Sequence, residues 1–184
     1  MIRVGVIGSI ASGKSFIAKL FKKPVFDADQ EVKKIYKKNR ECFKSLKKKL
    51  PKYIKSFPIK KNELIEAIKE DKKNLNKISS IIHPLVRKKM KIFLKKNQNS
   101  KMIILDIPLL IENKLNNKSD ILVYIKSNQK NVLKRLKKRT NFDKKILKTL
   151  KYNQSDLLKK KKMANYIVEN NFSPNIMSKK IKLL

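Results

Sequence analysis

Residues 2–15 read Ile2-Arg-Val-Gly-Val-Ile-Gly8-Ser-Ile-Ala-Ser-Gly13-Lys14-Ser15. From Ile2 to Ile7 the chain is almost continuously apolar, as expected of a strand buried on both faces of a parallel sheet. Gly8 to Ser15 fits the phosphate-binding loop G-x4-G-K-[ST], and Lys14 to Lys22 then takes helical spacing through Ile17, Ala18 and Phe21. The chemistry needs these types at this spacing. Glycine lets the main chain fold tightly so that successive amides face phosphate oxygens, and the following helix aims its positive end at the same anion. Lys14 can reach the β and γ phosphates of a nucleotide, and the Ser15 hydroxyl can ligate magnesium. The candidate ATP-binding residues are therefore Gly8, Ser9, Ile10, Ala11, Ser12, Gly13, Lys14, Ser15 and the adjoining Phe16. The whole chain has 3 glycines, and two stand in this pattern.

Working outward, Pro24-Val-Phe reads as a short second strand that ends at Asp27-Ala-Asp29. Gln30 to about Asn99 carries no strong strand signal. Lysine-rich amphipathic stretches punctuated by Pro51, Pro58 and Pro84 fill it, which predicts a helical insertion. Met102 to Leu105 is a third buried strand, closed by Asp106-Ile-Pro108. Ile121 to Ile125 is a fourth, followed by a helix over Asn128 to Lys138, and Tyr166-Ile-Val168 is a weaker fifth. Pro174 to Leu184 leaves room for about two helical turns. Strands alternating with helical stretches predict an α/β fold, a parallel sheet covered on both faces.

Ligands bind such sheets beyond the carboxyl ends of the strands. Asp29 stands a few residues past the second strand, where a carboxylate can orient a hydroxyl acceptor and take its proton; the alternative is that Asp27 or Asp29 caps the next helix. Asp106 ends the third strand in the position that holds magnesium through water in phosphate-loop enzymes, or else forms the turn before Pro108. His83 is the only histidine, so no histidine cluster can hold a metal. His83-Pro84 reads as a helix start with proline in its first turn, and Arg87 follows one turn later. Arg135 and Arg139 share a face if their segment is helical.

Composition bounds the rest. The chain has 184 residues with 41% apolar residues, enough for one core with a lid or subdomain. A lone Cys42 excludes an internal disulfide framework. No apolar run reaches the roughly 18 residues of a membrane span, and the amino terminus lacks the long apolar stretch of a secretion signal. A cytoplasmic globular protein, working as a monomer without a membrane, is expected. The net charge of +35 invites a nucleic-acid reading. Against it, 44 of the basic residues are Lys and only 5 are Arg, the charge is spread in short runs such as Lys47–Lys49 and Lys159–Lys162, and Lys, Ile and Asn are the residues that A/T-rich coding favours. The lysines read as a drifted, solvated surface. The surviving arginines, Arg3, Arg40, Arg87, Arg135 and Arg139, then mark sites where Lys cannot substitute, with bidentate phosphate contact the expected reason, foremost at Arg139.

Taken together, the Gly8–Ser15 loop, Asp27-Ala-Asp29, Ile82-His-Pro84 with Arg87, Pro108-Leu-Leu-Ile-Glu112, the Arg135/Arg139 pair and Gln154 resemble the dephospho-coenzyme A kinases in order and spacing, across essentially the whole chain. The resemblance implies an α/β phosphate-loop kinase with a five-stranded parallel sheet core (about 1–29, 100–138 and 162–184), a helical acceptor-binding insertion (about 30–99) and a small lid (about 139–161). It implies ATP, with Mg2+, and dephospho-coenzyme A as substrates. Lys14 and the loop would hold ATP, Ser15 and (through water) Asp106 the metal. Asp29 would be the base, Arg139 the lid arginine over the transferring phosphate, and His83, Arg87, Leu109, Leu110 and Glu112 would line the acceptor side. Departures from the family are Ser9 and Ala11 in place of loop glycines and Asn165 in place of an aspartate. If the Ala11 position needs φ > 0, its methyl costs about 1–2 kcal/mol. The competing readings are a phosphate-loop kinase for another nucleoside or nucleotide, and a basic nucleic-acid binder on an ATPase-like fold.

Overall fold

The structure, a computed structural model, describes residues 1–137 and 157–184. The described elements run β1 (Ile2–Gly8), α1 (Lys14–Leu20), β2 (Val25–Asp27), α2 (Ala28–Lys38), α3 (Arg40–Lys49), α4 (Lys61–Glu70), α5 (Lys73–Lys96), β3 (Met102–Asp106), β4 (Ile121–Ser127), α6 (Gln129–Lys137), α7 (Leu157–Met163), β5 (Tyr166–Asn170) and α8 (Pro174–Lys182). The five expected strands are all present. They form one sheet in the order β2-β3-β1-β4-β5, and every pairing is parallel.

Contact clustering divides the chain into two units. The first, over residues 1–27, 97–137 and 157–184, holds the sheet. Val4, Val6, Ile104, Val123 and Ile125 of its strands pack with Ile17 and Ala18 of α1 and with Met177 and Ile181 of α8. The apolar runs are continuous because side chains on both faces are covered. Gly5 interrupts the β1 run for a spatial reason: a Cβ there would stand 2.5 Å from Leu110 Cδ2 and 2.9 Å from Leu122 Cδ2. Leu110 thus crosses β1 and pins the segment after β3 to the sheet.

Parallel pairing gathers the carboxyl ends of the strands on one edge of this unit. The register places Asp27 beside Asp106, Gly8 beside Ile125, and Ser127 beside Asn170. Ligands of open parallel sheets bind at this edge and among the loops leaving it.

The second unit contains Ala28–Lys96 and is helical. α2, α3 and α4 each pack on α5, whose buried stripe is Asn74, Ile78, Ile82, Val86 and Met90, one residue per turn. The Asn39 side chain caps α3 by accepting the Cys42 N–H at 2.8 Å. One expectation fails here. His83-Pro84 does not start a helix; Pro84 lies inside α5, a helix of 24 residues. The missing N–H deprives the Ser80 carbonyl of its helical donor. The apolar stripe continues unbroken at steps of four residues on either side of Pro84, and burial of that stripe overrides the local preference of proline.

Candidate active site

The loop after β1 owes its shape to main-chain constraints. Ser9 to Ser12 is a turn closed by the Ser12 N–H donating to Ser9 O at 3.2 Å. Its third residue, Ala11, has φ 62°, a conformation that turns usually assign to glycine. The condition for strain at Ala11 is therefore met, at about 1–2 kcal/mol. Gly13 is left-handed as well (φ 92°, ψ 23°), and its carbonyl accepts the Ile17 N–H at 3.0 Å to open α1. No side chain caps α1 and no acidic residue stands in its first turn, so the N–H groups there have no competing anion from those positions. Lys14 is only 9% exposed. Its ammonium donates to Ser9 O at 2.8 Å and to Gly8 O at 3.3 Å, folded over the loop it belongs to.

Two residues outside the predicted site hold the loop from behind. Ser127 Oγ, at the end of β4, donates to Ser12 O at 2.7 Å, and Asn170 Nδ2, at the end of β5, donates to the same oxygen at 2.8 Å. Asn170 Oδ1 in turn accepts the Phe172 N–H at 2.8 Å, which fixes which end of the amide faces Ser12. A Cβ on Gly13 would collide with Asn170 Nδ2 and stand 2.8 Å from the Phe172 ring, so the second glycine of the motif is required by space as well as by φ. Arg135 lies over that ring at 4.3 Å from its centroid. The available signal was a polar residue ending each of two apolar strands.

Two acidic groups end strands on the same edge. Asp27 and Asp106 are register neighbours at the ends of β2 and β3, and Asp106 is 4% exposed. Asp29 belongs to the first turn of α2 in the helical unit, where it is exposed. In that unit His83 is half-buried on α5, and burial, with the Arg87 guanidinium beside it, pushes its pKa below the usual histidine value. Both causes favour the neutral imidazole. Arg87 is exposed one turn later.

Residues 108–114 form a run of turns in the sheet unit, closed by Asn113 N–H to Leu109 O at 3.0 Å and Lys114 N–H to Ile111 O at 2.9 Å. Leu109 and Glu112 are half-exposed, whereas the Leu110 side chain is in the core. Glu112 pairs with Lys160 of α7 at 2.6 Å, and the Lys160 side chain is 2% exposed. The Lys159–Lys162 run is thus surface at three positions and interior at one, which corrects the reading of that run as solvated throughout. Arg139 and Gln154 lie outside the described residues.

The arginines also need a correction. Phosphate contact is the expectation at Arg3, yet its guanidinium donates to Asp120 Oδ2 at 3.1 Å and Leu115 O at 3.3 Å, with Nε 3.0 Å from Asp120 Oδ1. Arg40 lies over the Phe57 ring at 5.1 Å. Planarity and the donor fork are the property retained, but these partners are a carboxylate and aromatic faces. Asn165 keeps a structural bond despite its lost charge: Oδ1 accepts the Leu122 N–H at 2.8 Å.

A parallel five-stranded sheet with a Gly-Lys-Ser loop at the end of its central strand and acidic residues ending the two strands on one side of it defines a phosphate-loop kinase. The family model for dephospho-CoA kinase matches residues 2–175, and the chain belongs to that family. The dephospho-CoA kinase of Zymomonas mobilis is 30% identical over 173 residues, 92% of this chain and 88% of that protein. The dephospho-CoA kinase of Bartonella henselae is 32% identical over 171 residues, 90% and 87% of the two chains. Among solved structures, TT1252 from Thermus thermophilus shares the fold with a TM-score of 0.78 at 23% identity, over 99% of this chain and 94% of the other. Dephospho-CoA kinase from Campylobacter jejuni does so with a TM-score of 0.66 at 22% identity, over 98% and 94%.

Proposed function

We propose that this chain transfers the γ-phosphoryl group of ATP to the 3′-hydroxyl of dephospho-coenzyme A, the last step of coenzyme A synthesis. The observation that carries the reading is the Gly8–Ser15 loop, built at the carboxyl edge of the sheet with Lys14 folded over it, in a chain of this family. Phosphoryl transfer leaves the protein mostly positioning and charge compensation to do. The loop amides and Lys14 hold the phosphates, with Phe16 closing the first turn of α1 behind them. Asp29 orients the acceptor hydroxyl and accepts its proton. His83, as a neutral imidazole, Arg87, Leu109 and Glu112 line the acceptor side, and Leu110 anchors the segment that carries Leu109 and Glu112. Arg139, in a lid of about 139–161, compensates charge on the transferring group.

Magnesium fits the donor set. Asp27 and Asp106 offer oxygen ligands side by side, and magnesium is characteristically bound by one or two carboxylates, water and substrate phosphates. Ser15, and Asp106 through water, would hold it, and when bound it supplies neutralising charge at the phosphates. The same reading divides the chain into core (about 1–29, 100–138 and 162–184), acceptor-binding insertion (about 30–99) and lid, acting as a cytoplasmic monomer. The reading involves no nucleic acid, despite the net charge of +35. No helix among the described residues is long and apolar enough to cross a membrane.

The test is ADP release with ATP and dephospho-coenzyme A, beside adenosine and nucleoside monophosphates. Turnover with dephospho-coenzyme A at least about 100-fold above the others is expected, since a site built to hydrogen-bond one acceptor rejects analogues that leave its polar groups unmatched. Activity confined to another acceptor overturns the reading.

A further inference from the structure

We propose that Ser127 and Asn170 act as a clamp that holds the phosphate loop in its binding shape against the strain stored at Ala11, and that they thereby set the affinity for ATP. The inference rests on the reading of Gly8–Ser15 as the ATP site and goes beyond it to two positioning residues outside the motif.

Three observations carry it. The Ser12 carbonyl accepts two side-chain hydrogen bonds, 2.7 Å from Ser127 Oγ and 2.8 Å from Asn170 Nδ2, both from the strand ends behind the loop. Both lone-pair directions of that oxygen are thereby engaged, and the Ser12–Gly13 peptide plane is fixed. Across a trans peptide the Gly13 N–H must then point the opposite way, away from the ends of β4 and β5. The donors are themselves immobilised. Asn170 is 4% exposed with its Oδ1 engaged by the Phe172 N–H at 2.8 Å, and Ser127 is its register neighbour in the sheet.

Immediately before the clamped carbonyl stands Ala11 at φ 62°. An alanine there favours relaxation of the turn into ordinary backbone, which would rotate the next peptide and with it the loop amides. Glycine would hold the same shape without cost. The turn's own closing bond, Ser12 N–H to Ser9 O, is long at 3.2 Å, whereas the two bonds to Ser12 O are short and come from rigid strands. Local sequence and local geometry thus disagree at Ala11, and the sheet behind the loop enforces the geometry.

The experiment measures KM for each substrate and the melting temperature of the full chain for Asn170→Asp, Ser127→Ala and Ala11→Gly, and for the pair combining Ala11→Gly with Ser127→Ala. Asn170→Asp keeps the size and the Phe172 bond but turns a carboxylate oxygen toward Ser12 O. It should raise KM for ATP at least about tenfold, with KM for dephospho-coenzyme A within about twofold, and Ser127→Ala should raise it about threefold. Adding Ala11→Gly should recover most of the Ser127→Ala loss, because the relaxed loop no longer needs holding. If Asn170→Asp fails to fold, the Ser127→Ala series alone decides. Equal effects on both substrates, no effect on ATP, or no recovery of the Ser127→Ala loss by Ala11→Gly each overturn the clamp. Lys14→Ala run in parallel separates the two levels. If it leaves ATP use intact, the loop is not the ATP site and the clamp falls with it. If it abolishes turnover while the clamp variants leave KM for ATP unchanged, the clamp alone fails.

Discussion

The phosphate loop and the helical unit obey different kinds of constraint. In the loop, identity is dictated by main-chain conformation and by space measured in tenths of an ångström: Gly13 has no room for a methyl, and Ala11 holds a conformation proper to glycine. In Ala28–Lys96 the demand is for an apolar side chain once per turn, as along Ile78, Ile82, Val86 and Met90 of α5, and elsewhere on the helices lysine is admitted freely. A drifting composition can therefore rewrite most of the helical unit at little cost. In the loop the same drift leaves visible strain. On the proposed reading, function depends on a few peptide planes, and stability on broad apolar stripes.

The sharpest way to break this division is Lys14→Ala. Its ammonium bonds two loop carbonyls but fills no core position, so turnover should fall at least about 1,000-fold while the melting temperature stays within a few degrees. A variant that melts as early as a core mutant would show the loop to be mainly structural. The converse test is Leu46→Ala on α3, a side chain with 0% exposure. The cavity should cost about 2–5 kcal/mol in urea unfolding, and KM for ATP in the folded fraction should not change. A shifted KM would mean that the helical unit shapes the nucleotide site and that the two constraints are not separable.

The inner strands β1, β3 and β4 are legible in the sequence because burial on both faces shows as long apolar runs; the edge strands β2 and β5, shorter or half-exposed, give weaker signals but stand where expected, and the region between β2 and β3 is helical as its pattern predicts. What escapes has physical reasons. Pro84 reads as a helix start, since local preference cannot weigh the stripe that continues on either side of it. Lys160 looks identical to Lys159, Lys161 and Lys162, and only the partner Glu112, 48 positions earlier, distinguishes it. Ser127 and Asn170 act on Ser12 through contacts more than a hundred residues apart in sequence, invisible to any reading by spacing. The scarcity of arginine points to the right property, a rigid planar fork, and to the wrong partner at Arg3, because composition reveals that a guanidinium is needed and not what faces it.

The gentlest probe of the comparison is pH, because the helical unit contains the chain's only histidine and the phosphate loop contains no group that titrates near neutrality. Burial, and secondarily the Arg87 charge, lowers the His83 pKa in the folded protein below its unfolded value. Between those two values the unfolded chain binds a proton that the folded chain refuses, so stability is full above the unfolded value of about 6.5 and declines as pH falls through it. The decline levels off once the folded imidazole protonates too. His83 is only half-buried and solvent screens it, so the effect should be smaller than that of either substitution, Lys14→Ala or Leu46→Ala. Urea melts between pH 7.5 and 5 should show the midpoint falling further in the parent chain than in His83→Gln, with the carboxylates common to both as the background. Parallel profiles would mean that the imidazole is as readily protonated folded as unfolded, and would leave no ground for its meeting the acceptor as a neutral group.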